Sequence, residues 1–272
     1  MTVNLMGGLG NQLFQWAAGA ALSSRLGTSL VLNGEGIGRE NDLLDKRIFE
    51  LNYFSLAEGR RQEPKISLPF PFRLNSNRVF KEASFRFDPT FEKVYSAKTL
   101  KGYFQSWKYF DGVSSDIRST LIAGAQPTSA YHQVLREMGD KPWVAVHVRR
   151  GDYVNFPNMF VLLGSEYYSR ALSLLKRSGD YEIVVFCEDL RGVEKLVLGA
   201  HMYVDRSMVS AAGDVLMLLG KASAVVGANS SLSWWGAFLN QSDPAKKVFP
   251  SDWFGLDGST TEDLIPQDWS VI

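Results

Sequence analysis

PWVAVHVRRGDY, residues 142–153, carries an apolar strand without a break into two adjacent arginines, a glycine, a carboxylate and a phenol. Two fixed positive charges would harm a strand interior. They suit the carboxyl end of a strand, where the chain leaves the sheet and can hold an anion. On extended backbone, neighbouring side chains point to opposite sides, so His147 and Arg149 share one side and Arg150 faces away. The shared side offers an imidazole and a guanidinium, and a guanidinium fork donates bidentately to phosphate and stays charged. The plainer alternative is a surface strand end where Arg150 pairs with Asp152.

Around this stretch, strands alternate with helices. SEYYSRALSLLKRSG (165–179) puts Tyr168, Ala171, Leu172 and Leu175 on one helical face, and YEIVVFCED (181–189) is a strand ending in acids. VEKLVLG (193–199) reads as a short helix and HMYVD (201–205) as a strand. AAGDVLMLLGKA (211–222) is a helix, SAVVGAN (223–229) a buried strand, SSLSWWGAFLNQ (230–241) a helix opening on serines, and KKVFPSDW (246–253) a closing strand. The same pattern opens the chain. TVNLM (2–6) is a strand, GGLGNQ (7–12) a tight turn, LFQWAAGAALSSRLG (13–27) a helix with Gly27 as its C-cap, and SLVLN (29–33) a second strand. Such alternation argues for parallel sheets with right-handed crossovers.

Residues 34–100 are irregular, and RRQEPKISLPFPFRLN (60–75), with Pro64, Pro69 and Pro71, reads as loop. GYFQS (102–106) is a strand end, with a helix expected from about Lys108. AGAQPTSAYHQ (123–133) is small and polar and is the candidate hinge. The expected organisation is an N-terminal Rossmann-like lobe over 1–130 and a second over 131–272, facing a cleft.

Two further stretches offer anion sites. The glycines of GGLGNQ let backbone approach a ligand at a helix N-terminus, but the third glycine of a dinucleotide fingerprint and the GK[ST] of a P-loop are absent. The alternative is a plain turn with Asn11 and Gln12 capping the helix. In NSSLSWWGA (229–237), Asn229 ends a strand, and Ser230 and Ser231 open a helix with hydroxyls beside free amides. Trp234 and Trp235 read as core. Asp214 either complements the dipole of its helix or reaches a base or ribose. Glu188 and Asp189 either do the same or stay solvated.

The bulk properties exclude other classes. Lys plus Arg balances Asp plus Glu at 29 each and the pI is near 6.8, so nothing points to nucleic acid or an acidic membrane surface. Cys187 is the only cysteine, which rules out an intrachain disulfide and a Cys-rich metal site. A secretory signal, a membrane span, a D-x-D metal motif, HExxH and G-x-S-x-G are not found. A cytoplasmic protein is expected, with peripheral attachment to the inner face of the membrane left open.

GGLGNQLFQ, HVRRGDY and NSSLSWWGA, in this order, resemble glycosyltransferase family 11, the α-1,2-fucosyltransferases, as do YFQSWKYF (103–110) and LGSEYYSRAL (163–172). The similarity runs from residue 7 to about 253. It implies an α/β fold of the GT-B type, with the acceptor on the N-terminal lobe and GDP-fucose mostly on the C-terminal one. It implies inverting transfer of L-fucose to a galactose hydroxyl of a glycan, with no metal and no cofactor beyond the donor. Arg149 would hold the diphosphate with Arg150, and His147 and Asp214 would lie near the nucleotide. Asn229, Ser230 and Ser231 would complete the phosphate or fucose contacts. Gly8, Gly10, Asn11 and Gln12 would line the cleft near the reacting sugar. His147, Arg149, Asp152 and Asn11 are the catalytic candidates, with His147 and Asp152 the possible general bases. Two positions depart from the family: Cys187-Glu188 stands where Ser-Asp is frequent, and Gly220-Lys221-Ala222 where Cys-Lys-His is frequent. Another sugar nucleotide, or a non-catalytic nucleotide- or glycan-binding module, is the alternative. Residues 34–100 are expected to shape the acceptor site.

Overall fold

A computed structural model describes residues 1–38, 47–57, 79–96, 98–155, 160–255 and 262–272, without the side chains of 152 and 155. The proline-rich loop at 60–75 lies outside the described residues. The chain divides into two compact units, Met1–Ala125 with Glu262–Leu264, and Gln126–Thr261 with Ile265–Ile272.

The N-terminal unit comprises β1 (Thr2–Asn4), α1 (Leu9–Leu26), β2 (Val31–Asn33), β3 (Val79–Lys81), β4 (Thr99–Lys101) and α2 (Ser114–Gly124). Its four strands are all parallel, in the order β2-β1-β4-β3. Val3 lies between Leu32 and Leu100, and all three side chains are wholly buried. At Gly19 a Cβ would lie 2.5 Å from Val3 Cγ2, so the missing side chain lets α1 pack close to the sheet. Gly27 ends α1 in the left-handed region (φ 58°), and its N–H reaches the carbonyls of Ser23 and Ser24.

Three local expectations are corrected. The helix begins at Leu9, inside GGLGNQ, so the turn is only Gly7 and Gly8. The reason is remote: the Glu50 carboxylate accepts the Leu9 amide (2.8 Å), supplying the negative group that a helix start favours. After β4, Ser106 Oγ accepts the Lys108 amide in a short 3-10 turn over Trp107–Tyr109, and α2 starts only at Ser114. VEKLVLG, expected as a short helix, forms turns that tuck Val193 and Val197 into the core.

The C-terminal unit comprises α3 (Ser129–Met138), β5 (Trp143–Val148), α4 (Ser165–Lys176), β6 (Glu182–Cys187), β7 (Met202–Val204), α5 (Ala212–Lys221), β8 (Ala224–Val226), α6 (Ser231–Leu239), β9 (Lys247–Phe249) and β10 (Ser270–Val271). Its six strands are parallel, in the order β10-β9-β8-β5-β6-β7. Counted from β5, this is the 3-2-1-4-5-6 order of a Rossmann sheet, whose direction reverses between the first and fourth strands, here β5 and β8. All six residues of β5 are buried, as its central place demands.

α5 and α6 meet closely: a Cβ on Gly236 would lie 2.5 Å from Leu219 Cβ. Trp234 and Trp235 are wholly buried, and Trp234 stacks on Phe238 at 5.4 Å. Asn240 ties the two helices together. Its amide donates to the carbonyls of Leu219 (3.1 Å) and Ala222 (2.7 Å), and its oxygen accepts the Ser242 amide (2.9 Å). Among the described residues no helix is long and apolar enough to cross a membrane. Asn240→Ala strips the C-terminal carbonyls of α5 of their donor, and urea unfolding should show a loss of about 2 kcal/mol.

Candidate functional site

In an open parallel sheet, ligands bind beyond the carboxyl ends of the strands where the order reverses. Here those ends belong to β5 and β8, held in register by Val146 against Val226. From β5 come Arg149 and Arg150 and then the turn Gly151–Asn155; from β8 come Gly227 to Ser230 and then α6. The two segments touch where Tyr153 Oη donates to the Asn229 carbonyl (3.0 Å). The structure thus brings HVRRGDY and NSS together.

Arg149 leaves the strand with its side chain only 14% exposed and forms an ion pair with Glu188 of β6's carboxyl end. Its guanidinium carbon lies 4.9 Å from the Tyr153 ring centre. Glu188 has a second partner in Arg206 Nη2 (3.0 Å). Asp189, by contrast, is on the surface with Arg191, which draws its carboxyl below the usual range. Arg150 is half-buried and bears electrostatically on Tyr168 and Asp189. The Asp152 side chain, its expected partner, lies outside the described residues.

His147 is 5% exposed, and its Nδ1 is buried with no hydrogen-bond partner among the described residues. Burial and then the Arg149 charge push its pKa down to about 3. The imidazole is therefore neutral, and taking up a proton beside Arg149 is unfavourable. That argues against His147 as a general base.

The helix opening after β8 is built from side chains as well as backbone. Ser230 Oγ accepts the Leu232 amide (3.3 Å), which caps α6, and Ser231 stands half-buried in the first turn. Asn229 is 1% exposed; its amide donates to the carbonyls of Val161 and Trp253, both at 3.0 Å, and its Oδ1 is buried without a partner among the described residues. Asn229 thus serves first to pin the loops beside the site.

Two other candidates have structural tasks. Asp214 is wholly buried, and both its oxygens accept from Thr128, one from the amide (3.1 Å) and one from the hydroxyl. Thr128 caps α3, so Asp214 fastens that cap. Gln12 is likewise wholly buried: its amide donates to Gly7 (2.9 Å) and Ile48 (2.8 Å), and its oxygen accepts from Glu50 (3.0 Å). Gly10 is buried and Gly8 half-buried. Asn11 is half-buried and accepts from Gln105 Nε2 (2.7 Å), a residue that sequence reasoning left unassigned. Glu188 meets Arg149 through the strand register: β5 and β6 pair Val148 with Cys187, so the next residues, Arg149 and Glu188, leave the sheet side by side. Among the described residues no group of three or more His, Cys, Asp or Glu could hold a metal.

The C-terminal unit is thus a Rossmann sheet with two arginines and a capped helix start at its point of strand reversal. The model of glycosyl transferase family 11 matches residues 80–272, and the chain belongs to that family. It is therefore a glycosyltransferase of the GT-B type. It is 27% identical to the O-antigen biosynthesis glycosyltransferase WbnK of Escherichia coli, over 97% of this chain and 98% of that one. It is 28% identical to an α-1,2-colitosyltransferase of the same organism, over 99% and 97%. It shares the fold of the fucosyltransferase NodZ from Bradyrhizobium at a TM-score of 0.52 and 13% identity, covering 88% of this chain and 93% of that one.

The His147 pKa sets a test. Its folded value lies below the unfolded value of about 6.5, so the unfolded chain binds the extra proton. The stability this neutral imidazole provides is complete above about pH 6.5 and falls as the pH drops towards 3, by up to about 1.4 kcal/mol per unit. Unfolding of a His147→Leu variant, followed by fluorescence between pH 7 and pH 4, should show a shallower loss of stability than the parent.

Proposed function

We propose that this enzyme transfers L-fucose from GDP-fucose to a galactose hydroxyl of a glycan, with inversion, forming an α-1,2 link. The observation that carries the reading is Arg149 at the carboxyl end of β5, beside the capped start of α6. The names of relatives support it: the α-1,2-colitosyltransferase and, at 31% identity over 54% of this chain, a galactoside 2-α-L-fucosyltransferase of Caenorhabditis elegans. We assign the donor to the C-terminal unit and the acceptor to the N-terminal one.

Breaking the bond between sugar and phosphate builds negative charge on the departing diphosphate and positive character on the sugar. Arg149, with the amides and the Ser231 hydroxyl at the start of α6, stabilises that departing charge. Arg150 adds a longer-range positive potential. This set neutralises a diphosphate without a divalent ion, and we propose metal-independent transfer. The acceptor proton passes to a carboxylate rather than to His147, and Asp152 of the same motif is the residue we assign. The relative that transfers colitose gives the second reading its support: a different deoxysugar on the nucleotide.

Arg149→Ala should lower transfer from GDP-fucose by about 10²- to 10³-fold, with the melting temperature and circular dichroism confirming a folded chain. Undiminished transfer by the folded variant would sink the donor assignment. Asp152→Asn should lower kcat by about 10²-fold or more and leave GDP affinity in place. EDTA should leave the parent's rate unchanged. A panel of GDP- and UDP-linked sugars, read by product formation, separates fucose from other donors.

A further inference from the structure

Arg149, the residue assigned to the donor diphosphate, already has an anion. The Glu188 carboxylate meets Arg149 Nη1 through Oε1, and the same oxygen accepts from Arg206 Nη2 (3.0 Å). The pair is shielded, with side-chain exposures of 14% for Arg149 and 15% for Glu188, while Arg206 is 56% exposed. Two features show that the carboxylate's seat is built. A Cβ on Gly151 would overlap Glu188 Oε2, so the glycine of the HVRRGDY motif makes the space the carboxylate fills. Moreover, Oε2 is buried with no hydrogen-bond partner among the described residues, so the contact to arginine is made through one oxygen only. A carboxylate held by a single oxygen is the weaker competitor for a guanidinium that binds diphosphate bidentately.

We propose that Glu188 is a resident counter-anion that the donor's diphosphate displaces from Arg149. In the unliganded enzyme it compensates the charge of a shielded guanidinium and holds it over Tyr153. When diphosphate arrives, Glu188 gives up Arg149 and keeps Arg206, its exposed partner, so the carboxylate is not left buried and alone. Glu188 is thus a positioning residue that sets donor affinity by competition. The inference rests on the donor assignment above.

Two variants reach the same contact from opposite sides. Glu188→Gln keeps an oxygen acceptor and removes the charge. Gly151→Ala keeps the charge and pushes the carboxylate out of its seat. Calorimetric titration of the folded chains with GDP should give affinities roughly three- to tenfold above the parent for both, since a nearby like charge weakens anion binding by that order. A purely structural ion pair would give the reverse, with GDP binding weakened and the melting temperature lowered. Unchanged or weaker binding by folded variants overturns the proposal. If neither variant folds, the crystal structure of the parent with GDP decides: Glu188 parted from Arg149 and still at Arg206 supports it, and an intact Arg149–Glu188 pair beside bound GDP overturns it. Arg149→Ala separates the two levels. Loss of GDP binding there, with no gain in Glu188→Gln, removes this inference alone; retained binding removes the donor assignment beneath it.

Discussion

The hydrogen-bonded pairing of β5 with β6 on one side and β8 on the other is the constraint from which the rest of the C-terminal unit follows. Because all three strands are parallel, their carboxyl ends lie along one edge. The order reverses between β5 and β8, the place in an open parallel sheet where ligands generally bind. Arg149, Glu188 and the NSS helix start are drawn from three distant parts of the chain and meet only through that pairing. A slip of one residue in the register of β5 would turn His147 and Arg149 to the other face of the sheet.

Polar side chains inside the structure act mainly as fasteners for the loops. Gln12 and Gln15 close the first turn of α1 onto Gly7, Met6 and the segment near residue 48. Asn229 and Asn240 do the same for the loops after β8 and α5. Each is buried and each gives its donors to backbone carbonyls, the arrangement that removes the cost of burying an amide.

Charge is managed locally in a chain whose formal net charge is zero. The start of α1 is supplied with an anion by Glu50, so that helix is occupied from within. The start of α6 is capped by a neutral hydroxyl, Ser230, instead of by a carboxylate. Arg149 joins these two cases: it is compensated by Glu188, yet by one oxygen of a carboxylate already shared with Arg206.

Much of this was legible in the residues. The alternation of apolar strands with helices, the arginines placed directly after WVAVHV, the serines opening a helix after SAVVGAN and the core place of Trp234 and Trp235 are local patterns, and local patterns survive without tertiary context. What Asp214, Gln12 and Glu188 would touch was not legible. Asp214 meets Thr128, Gln12 meets Ile48 and Glu188 meets Arg149, partners separated by 86, 36 and 39 positions. The sequence by itself determined which segments become strands and which ends carry charge. Only the tertiary structure decided which of those charges are paired inside the fold and with what, because a hydrogen bond or ion pair between remote residues exists only once the sheet has set their distance.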